Sequence, residues 1–172
     1  MYFFPNLDET TRLLMISELE NDMKNFTFFT PSCLTDFGAT IYPRLLLDCF
    51  RKGSVDSLIS QLAPSYFRAK YLTGRKVPAN ASKMIAFSDF NRYYLRALIL
   101  RAIEGKHRVV VYRAKHSEKE RFESKTLIGK MYFGNIELHR LLSALRDVRI
   151  LFGKNNPVEF FSPNSGLSLR LF

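Results

Sequence analysis

The chain has no tryptophan, only two cysteines (Cys33 and Cys49), and few acids after its first fifty residues. Two cysteines are too few for a disulfide scaffold, so both are expected to be reduced core residues in an intracellular setting. They and the three histidines, His107, His116 and His139, show no metal-ligand spacing, and no metal or other cofactor is expected. No apolar run approaches the ~20 residues of a membrane span. The opening Met1-Tyr-Phe-Phe-Pro5 is too short for a signal peptide and is followed at once by Asp8 and Glu9. These absences predict a soluble, cytoplasmic protein with no membrane association. Also missing are a phosphate-binding glycine loop, a dinucleotide-binding glycine pattern and a serine-hydrolase elbow.

What is present is charge, unevenly laid out. Residues 1–50 hold 3 Lys/Arg against 7 Asp/Glu, and the remainder holds 23 against 9, for a net +10. A basic region of this strength attracts phosphate polymers or an acidic protein surface. An apolar content of 47%, with 14% aromatics, suffices for a packed core in one domain.

Asp8 opens an amphipathic first helix in which Met15, Ile16, Leu19, Met23 and Phe26 form the apolar stripe. Glu18, Glu20 and Asp22 lie off it. A second helix is expected from Thr35 to Lys52, kinked or restarted at Pro43 and ended by Gly53. Ser54 caps a short third helix that Pro64 closes. Pro78-Ala-Asn-Ala-Ser82 reads as a linker. Ser88-Asp89 then starts the longest helix, Phe90 to about Glu104, stopped by Gly105. That helix is apolar nearly all round and therefore buried.

Beyond Gly105 the character changes. Val109–Tyr112 is a β-branched strand, residues 116–125 read as a charged loop, and Thr126–Phe133 as a second strand bulged at Gly129. Asn135 starts a helix striped by Leu138, Leu141, Leu142 and Leu145. Val148–Phe152 reads as a strand or as the tail of that helix. Asn155-Asn-Pro and Pro163-Asn-Ser-Gly166 are turns, and the alternation Leu167-Ser-Leu-Arg-Leu171 is a strand. The fold class is α+β: a helical N-terminal two-thirds of about four helices, then a small mixed or antiparallel sheet with one packed helix. The expected organisation is a single domain, with a helical lobe over about residues 1–105 and a small α/β lobe over about 106–172.

The densest basic–aromatic run is residues 65–76, which contains no acid. Cations there replace counterions along phosphates, and aromatic faces stack on unpaired bases. The candidate nucleic-acid-binding residues are Tyr66, Arg68, Lys70, Tyr71, Arg75 and Lys76, supported by Arg92, Arg96, Arg108, Arg113 and Lys115. Tyr66 and Tyr71 are the stacking candidates. Arg92 and Arg96 share one face of the long helix, and Arg101 lies on the other. The competing expectation for these arginines is internal: Arg92 and Arg96 pair with Asp89 and its neighbours, or acids of the first helix, Glu18, Glu20 and Asp22, become their partners. Lys119, Arg121 and Lys125 are interleaved with Glu118, Glu120 and Glu123, the mark of a solvated loop.

Catalytic patterns are thinner. The spacing of Arg101 and His107 is similar to that of the HEPN ribonucleases, where both residues sit on one helix; here Gly105 falls between them. Glu123-Ser-Lys125 resembles half of a PD-(D/E)xK nuclease motif, whose second acid is missing on a preceding strand. The reading is therefore a basic protein that contacts nucleic acid or another polyanion. The alternatives are a protein-interaction or scaffold subunit docking an acidic partner, and a small nuclease. Neutralising about five phosphates on duplex DNA corresponds to a salt slope of roughly −4.5 in log K against log salt.

Overall fold

The computed structural model describes residues 2–115, 122–154, 156–161 and 165–172, the side chain of Glu123 excepted. His116, Glu118, Lys119, Glu120 and Arg121 of the charged stretch, Asn155, and part of the Pro163–Gly166 turn lie outside the described residues. The described residues form an α+β fold with an antiparallel sheet.

Helix α1 (Glu9–Lys24) begins where the Asp8 carboxylate accepts the Thr11 N–H at 2.9 Å. Helix α2 (Asp36–Lys52) is capped by Thr35 and runs unbroken through Pro43, which neither ends nor restarts it. Helix α3 (Val55–Gln61) has a capping box between Ser54 and Ser57. A single 3-10 turn, Pro64–Tyr66, follows. Helix α4 spans Ala81–Gly105, so the expected linker is partly its first turn, and Asp89 is not a cap but a buried mid-helix residue. Tertiary packing overrides the local start signal, because α4 touches α1, α3, α6 and the sheet and is buried along most of its length.

Strand β1 (Val109–Arg113) is central, flanked by β2 (Met131–Tyr132) and β3 (Leu167–Leu171), both antiparallel. The expected strand over 126–133 shrinks to two residues because helix α5 (Phe122–Leu127) takes the preceding segment. Helix α6 (Asn135–Arg146) buries its leucine stripe as expected. Helix α7 (Val148–Leu151) stands where strand or helix tail was open. The free edge of β3 is closed by side chains. Asn91 Nδ2 donates to Leu167 O (2.9 Å), and Leu171 N donates to Asn6 Oδ1 (3.0 Å).

The buried face of α1 corrects the sequence stripe. Thr11, Met15, Glu18, Leu19 and Asp22 point inward, whereas Met23 and Phe26 are exposed. Two acids go inside because Arg96 of α4, itself fully buried, waits for them. Its Nε donates to Glu18 Oε2 (2.6 Å), while Nη1 and Nη2 donate to Asp22 Oδ2 and Oδ1 (2.6 and 2.9 Å). The Tyr93 hydroxyl donates to Asp22 Oδ2 (2.8 Å), and Arg146 of α6 closes on the other side of Glu18 through Nε (2.9 Å) and Nη2. Three helices are thus joined through one network whose acids have partners on several sides, the condition under which buried ions are tolerated.

Burial by itself would raise both carboxyls. Hydrogen bonds and charge from Arg146 and Arg96 at Glu18, and from Arg96 and Tyr93 at Asp22, overcome it and hold them below the ordinary carboxylate range. A second buried acid–arginine pair lies farther along α4. Asp89 accepts from the Tyr42 hydroxyl (2.7 Å) and stands 3.5 Å from Arg92 Nη2, and burial there pushes its carboxyl up.

Substituting Arg96→Met strands Asp22 in the core and is expected to cost about 3–5 kcal/mol in urea unfolding. Depressed carboxyls stabilise above their unfolded pKa and lose that contribution as pH falls through the folded one; Asp89, raised, acts in the opposite sense. The stability gap between the wild type and Asp22→Asn should therefore be widest near neutrality and close below the ordinary carboxylate range. Urea titrations at stepped pH read this directly.

Candidate nucleic-acid interface

The basic–aromatic run folds as a small hairpin between the 3-10 turn and α4. Val77 N donates to Ala69 O (3.0 Å), Lys70 and Lys76 face each other in an antiparallel bridge, and Tyr71 N donates to Arg75 O (2.8 Å). The turn closes through Gly74 N to Tyr71 O (2.9 Å), with Gly74 at φ 81°, a left-handed conformation that glycine takes without strain. Leu72 at the tip is 88% exposed.

The base of the hairpin is fastened to the start of α2. Thr35 N donates to Tyr66 O (2.8 Å), Arg68 N to Cys33 O (2.9 Å), and Arg68 Nε to Leu34 O (2.7 Å), while Arg68 Nη2 pairs with Asp36 (2.6 Å). The Tyr66 ring leans on Phe37, with centroids 5.7 Å apart. Arg68 and Tyr66 thus hold the hairpin in place, and Tyr71 packs partly on the core. Lys70, Arg75 and Lys76 are exposed, and no acid among the described residues pairs with any of them. Lys83, in the first turn of α4, is also exposed. It was legible in the sequence as a continuation of the acid-free run. Beside the hairpin opens a groove of about 390 Å³ bordered by Arg68, Lys76, Pro78 and Ser82.

Arg92 and Arg96 do not join this surface. Arg96 is consumed by Glu18 and Asp22, and Arg92, 2% exposed, lies beside Asp89 and 5.0 Å from the Tyr93 ring centroid. Neither guanidinium reaches a phosphate in solution, so both are removed from the candidate interface. Their internal partners are among the acids anticipated for them, Glu18, Asp22 and Asp89; Glu20 stays exposed.

The strand cations divide between the two ends of β1. Arg108 is exposed just past the C-terminus of α4, its guanidinium 5.5 Å from the Phe133 ring centroid. Arg113 Nη1 donates to Ser165 O (3.2 Å). Lys115 lies over the Tyr2 ring at 5.4 Å, and Tyr2 stacks on Phe87 at 4.7 Å. With 25 residues at 1.5 Å each, α4 separates its two ends by about 36 Å. The expected 65–115 cations therefore do not share one surface: the hairpin lies at the N-terminus of α4, Arg108 past its C-terminus, and Arg113 and Lys115 at the far end of β1 beside Ser165 and Tyr2.

The nuclease patterns are not assembled among the described atoms. Arg101 Nη1 donates to both Asp8 oxygens (2.8 and 2.7 Å) and to Thr11 Oγ1 (2.6 Å), while His107 lies beyond the end of α4. Glu123 falls on helix α5 rather than in a loop or strand. Cys33 and Cys49 are buried free thiols, both pushed up by burial. No family model, no curated protein and no solved structure matches the chain.

Gly38 lies directly under the hairpin base, where an added Cβ would stand 2.4 Å from Tyr66 O. Gly38→Ala should cost about 1–3 kcal/mol. It should also speed amide hydrogen exchange at Thr35 and Arg68, whose N–H groups bond across the same joint.

Proposed function

We propose that this protein binds nucleic acid through the hairpin of residues 69–77, by cationic contact with backbone phosphates. The observation that carries this reading is the Lys70–Lys76 pair. Two lysines directly opposite each other on adjacent strands repel and destabilise the pairing. Here they stand with Arg75 next to Lys76 in the chain and no acid among the described residues paired to any of the three, a cost that a polyanion would remove on binding. The free N–H groups and the dipole at the start of α4, where Asn80 makes no side-chain cap, add positive potential on the same side.

Charge accounting across the fold supports the same conclusion. Asp8, Glu18, Asp22, Asp36 and Asp48 are each paired to an arginine within the chain. The acidity of the first fifty residues is largely neutralised internally, and the hairpin cations are left without counter-charges. Contacts of this kind provide affinity with little sequence choice.

A second reading, a protein-interaction subunit, is supported by a different surface. Phe26 is 95% exposed at φ 58°, and with Phe29, Arg146 and Arg149 it borders an open groove of about 500 Å³. Aromatic and arginine side chains together are common at protein interfaces.

Fluorescence anisotropy against labelled single-stranded RNA, single-stranded DNA and duplex DNA across a salt series separates the two. Lys70→Ala/Arg75→Ala/Lys76→Ala should weaken binding to all three probes. Losing three phosphate contacts should flatten the single-strand salt slope by about 2. Flat traces for the wild type at low salt would overturn the nucleic-acid reading and favour the second.

A further inference from the structure

The end of the sheet opposite the hairpin carries an arrangement that no single stretch of sequence contains. The register pairs Val109 with Tyr132 and Leu171, and Val110 with Met131 and Arg170. One step back along β1, Arg108 exchanges both backbone hydrogen bonds with Phe172 (3.3 and 2.9 Å) and holds its guanidinium against the Phe133 ring. Cross-strand partners share a face of the sheet. Phe133, Arg108 and Phe172 therefore form one row, and Met131, Val110 and Arg170 the row beneath it.

Around the two rings this face is open to water, whereas Val110 in the second row is 7% exposed and Ser168 farther along is buried. Phe133 is 60% and Phe172 71% exposed, and Arg108 and Arg170 are exposed between and below them. The other face, Val109, Val111 and Leu169, is core. Strands lie about 4.8 Å apart, so the two ring-bearing positions are separated by roughly 10 Å, with a guanidinium between them. Single exposed rings are ordinary; two rings and two arginines in adjoining rows of one sheet face place exposed aromatic surface beside positive charge. Lys106 adds to that charge. Two carboxylates stand against that charge: Glu137, whose Oε2 accepts the Phe133 N–H (3.1 Å), and Glu104 in the last turn of α4.

We propose that the row Phe133–Arg108–Phe172 is a stacking platform for the bases of single-stranded nucleic acid. This rests on the nucleic-acid reading above and makes it more specific. The rings would take the faces of unpaired bases, and Arg108 and Arg170 the adjoining phosphates. A duplex, with its bases already stacked on one another, presents no such faces. The sheet row would select single strands, and the hairpin would supply charge without selection.

The test uses the full chain and four fluorescein-labelled probes: an oligouridylate, an oligodeoxythymidylate, an abasic oligodeoxynucleotide of equal length, and a duplex. The wild type should bind the base-bearing strands more tightly than the abasic one. Phe133→Ala/Phe172→Ala should lose about tenfold or more on the base-bearing strands. Its abasic affinity and salt slope should stay unchanged, and Phe133→Tyr/Phe172→Tyr should restore the affinity. Both positions are exposed, and urea unfolding of each variant checks that the fold is intact. The two base-bearing arms tell RNA from DNA, and either result supports the platform. Equal wild-type affinity for base-bearing and abasic strands, or no loss in the alanine variant, overturns the platform; the hairpin reading then stands or falls on its own triple variant. No binding of any probe overturns both.

Discussion

A guanidinium shut away from water keeps its charge and is costly to bury without oxygen partners, and Arg96 is such a group. It faces two carboxylates of α1, one of which reaches on to Arg146 of α6. The arrangement sets the rotation of α1 about its own axis, because Glu18 and Asp22 must point at α4 whatever their neighbours prefer. It therefore also decides which apolar residues of α1 are left outside. Met15 and Leu19 share the buried face with the two acids, while Met23 and Phe26 are turned toward solvent. Hydrophobic burial drives collapse without direction, whereas this network specifies one packing of three helices.

The same network redistributes charge. A chain with an acidic beginning and a basic remainder would, if simply extended, present both signs to its surroundings. Folding brings Glu18 and Asp22 of α1 and its cap Asp8 onto Arg96, Arg101 and Arg146, and Asp36 onto Arg68. Among the cations that stay outward are those of the hairpin at one end of α4 and the arginines of the sheet end at the other. The charge asymmetry is thus partly an internal electrostatic tie and partly a display of cations, and the central helix sets the spacing between the two displays.

Elements whose cause is local were legible. Asp8, Thr35 and Ser54 cap helices where their side chains meet the first free N–H groups, and Gly105 closes α4. The leucine stripe of α6 packed as its period implies, whereas β3 is a strand as expected but buries Leu167, Ser168 and Leu169 alike, the Ser168 hydroxyl donating to Asn91 Oδ1. The errors have a different origin. Asp89 looked like a cap because an acid after serine usually is one, yet Tyr42 and Arg92 hold it inside a longer helix. Residues 126–133 looked extended, but the segment before β2 coils into α5, and only Met131 and Tyr132 pair with β1. For Asp89 the distant Tyr42 hydroxyl and the packing of α4 outweighed a local preference.

For the candidate sites the same division holds. Near-neighbour chemistry was enough for the α+β class, the caps at Asp8 and Ser54 and the acid-free cluster of Lys70, Arg75 and Lys76, because capping, periodicity and short-range charge depend only on adjacent residues. Tertiary structure alone decided that Arg92 and Arg96 are buried ion-pair partners, since their acids come from packing within and between helices. It alone brought Phe133 and Phe172 to either side of Arg108, because strand register is set by the whole sheet and its core. Interactions within a few residues are written in the order of the chain; those between elements exist only once the chain has closed on itself.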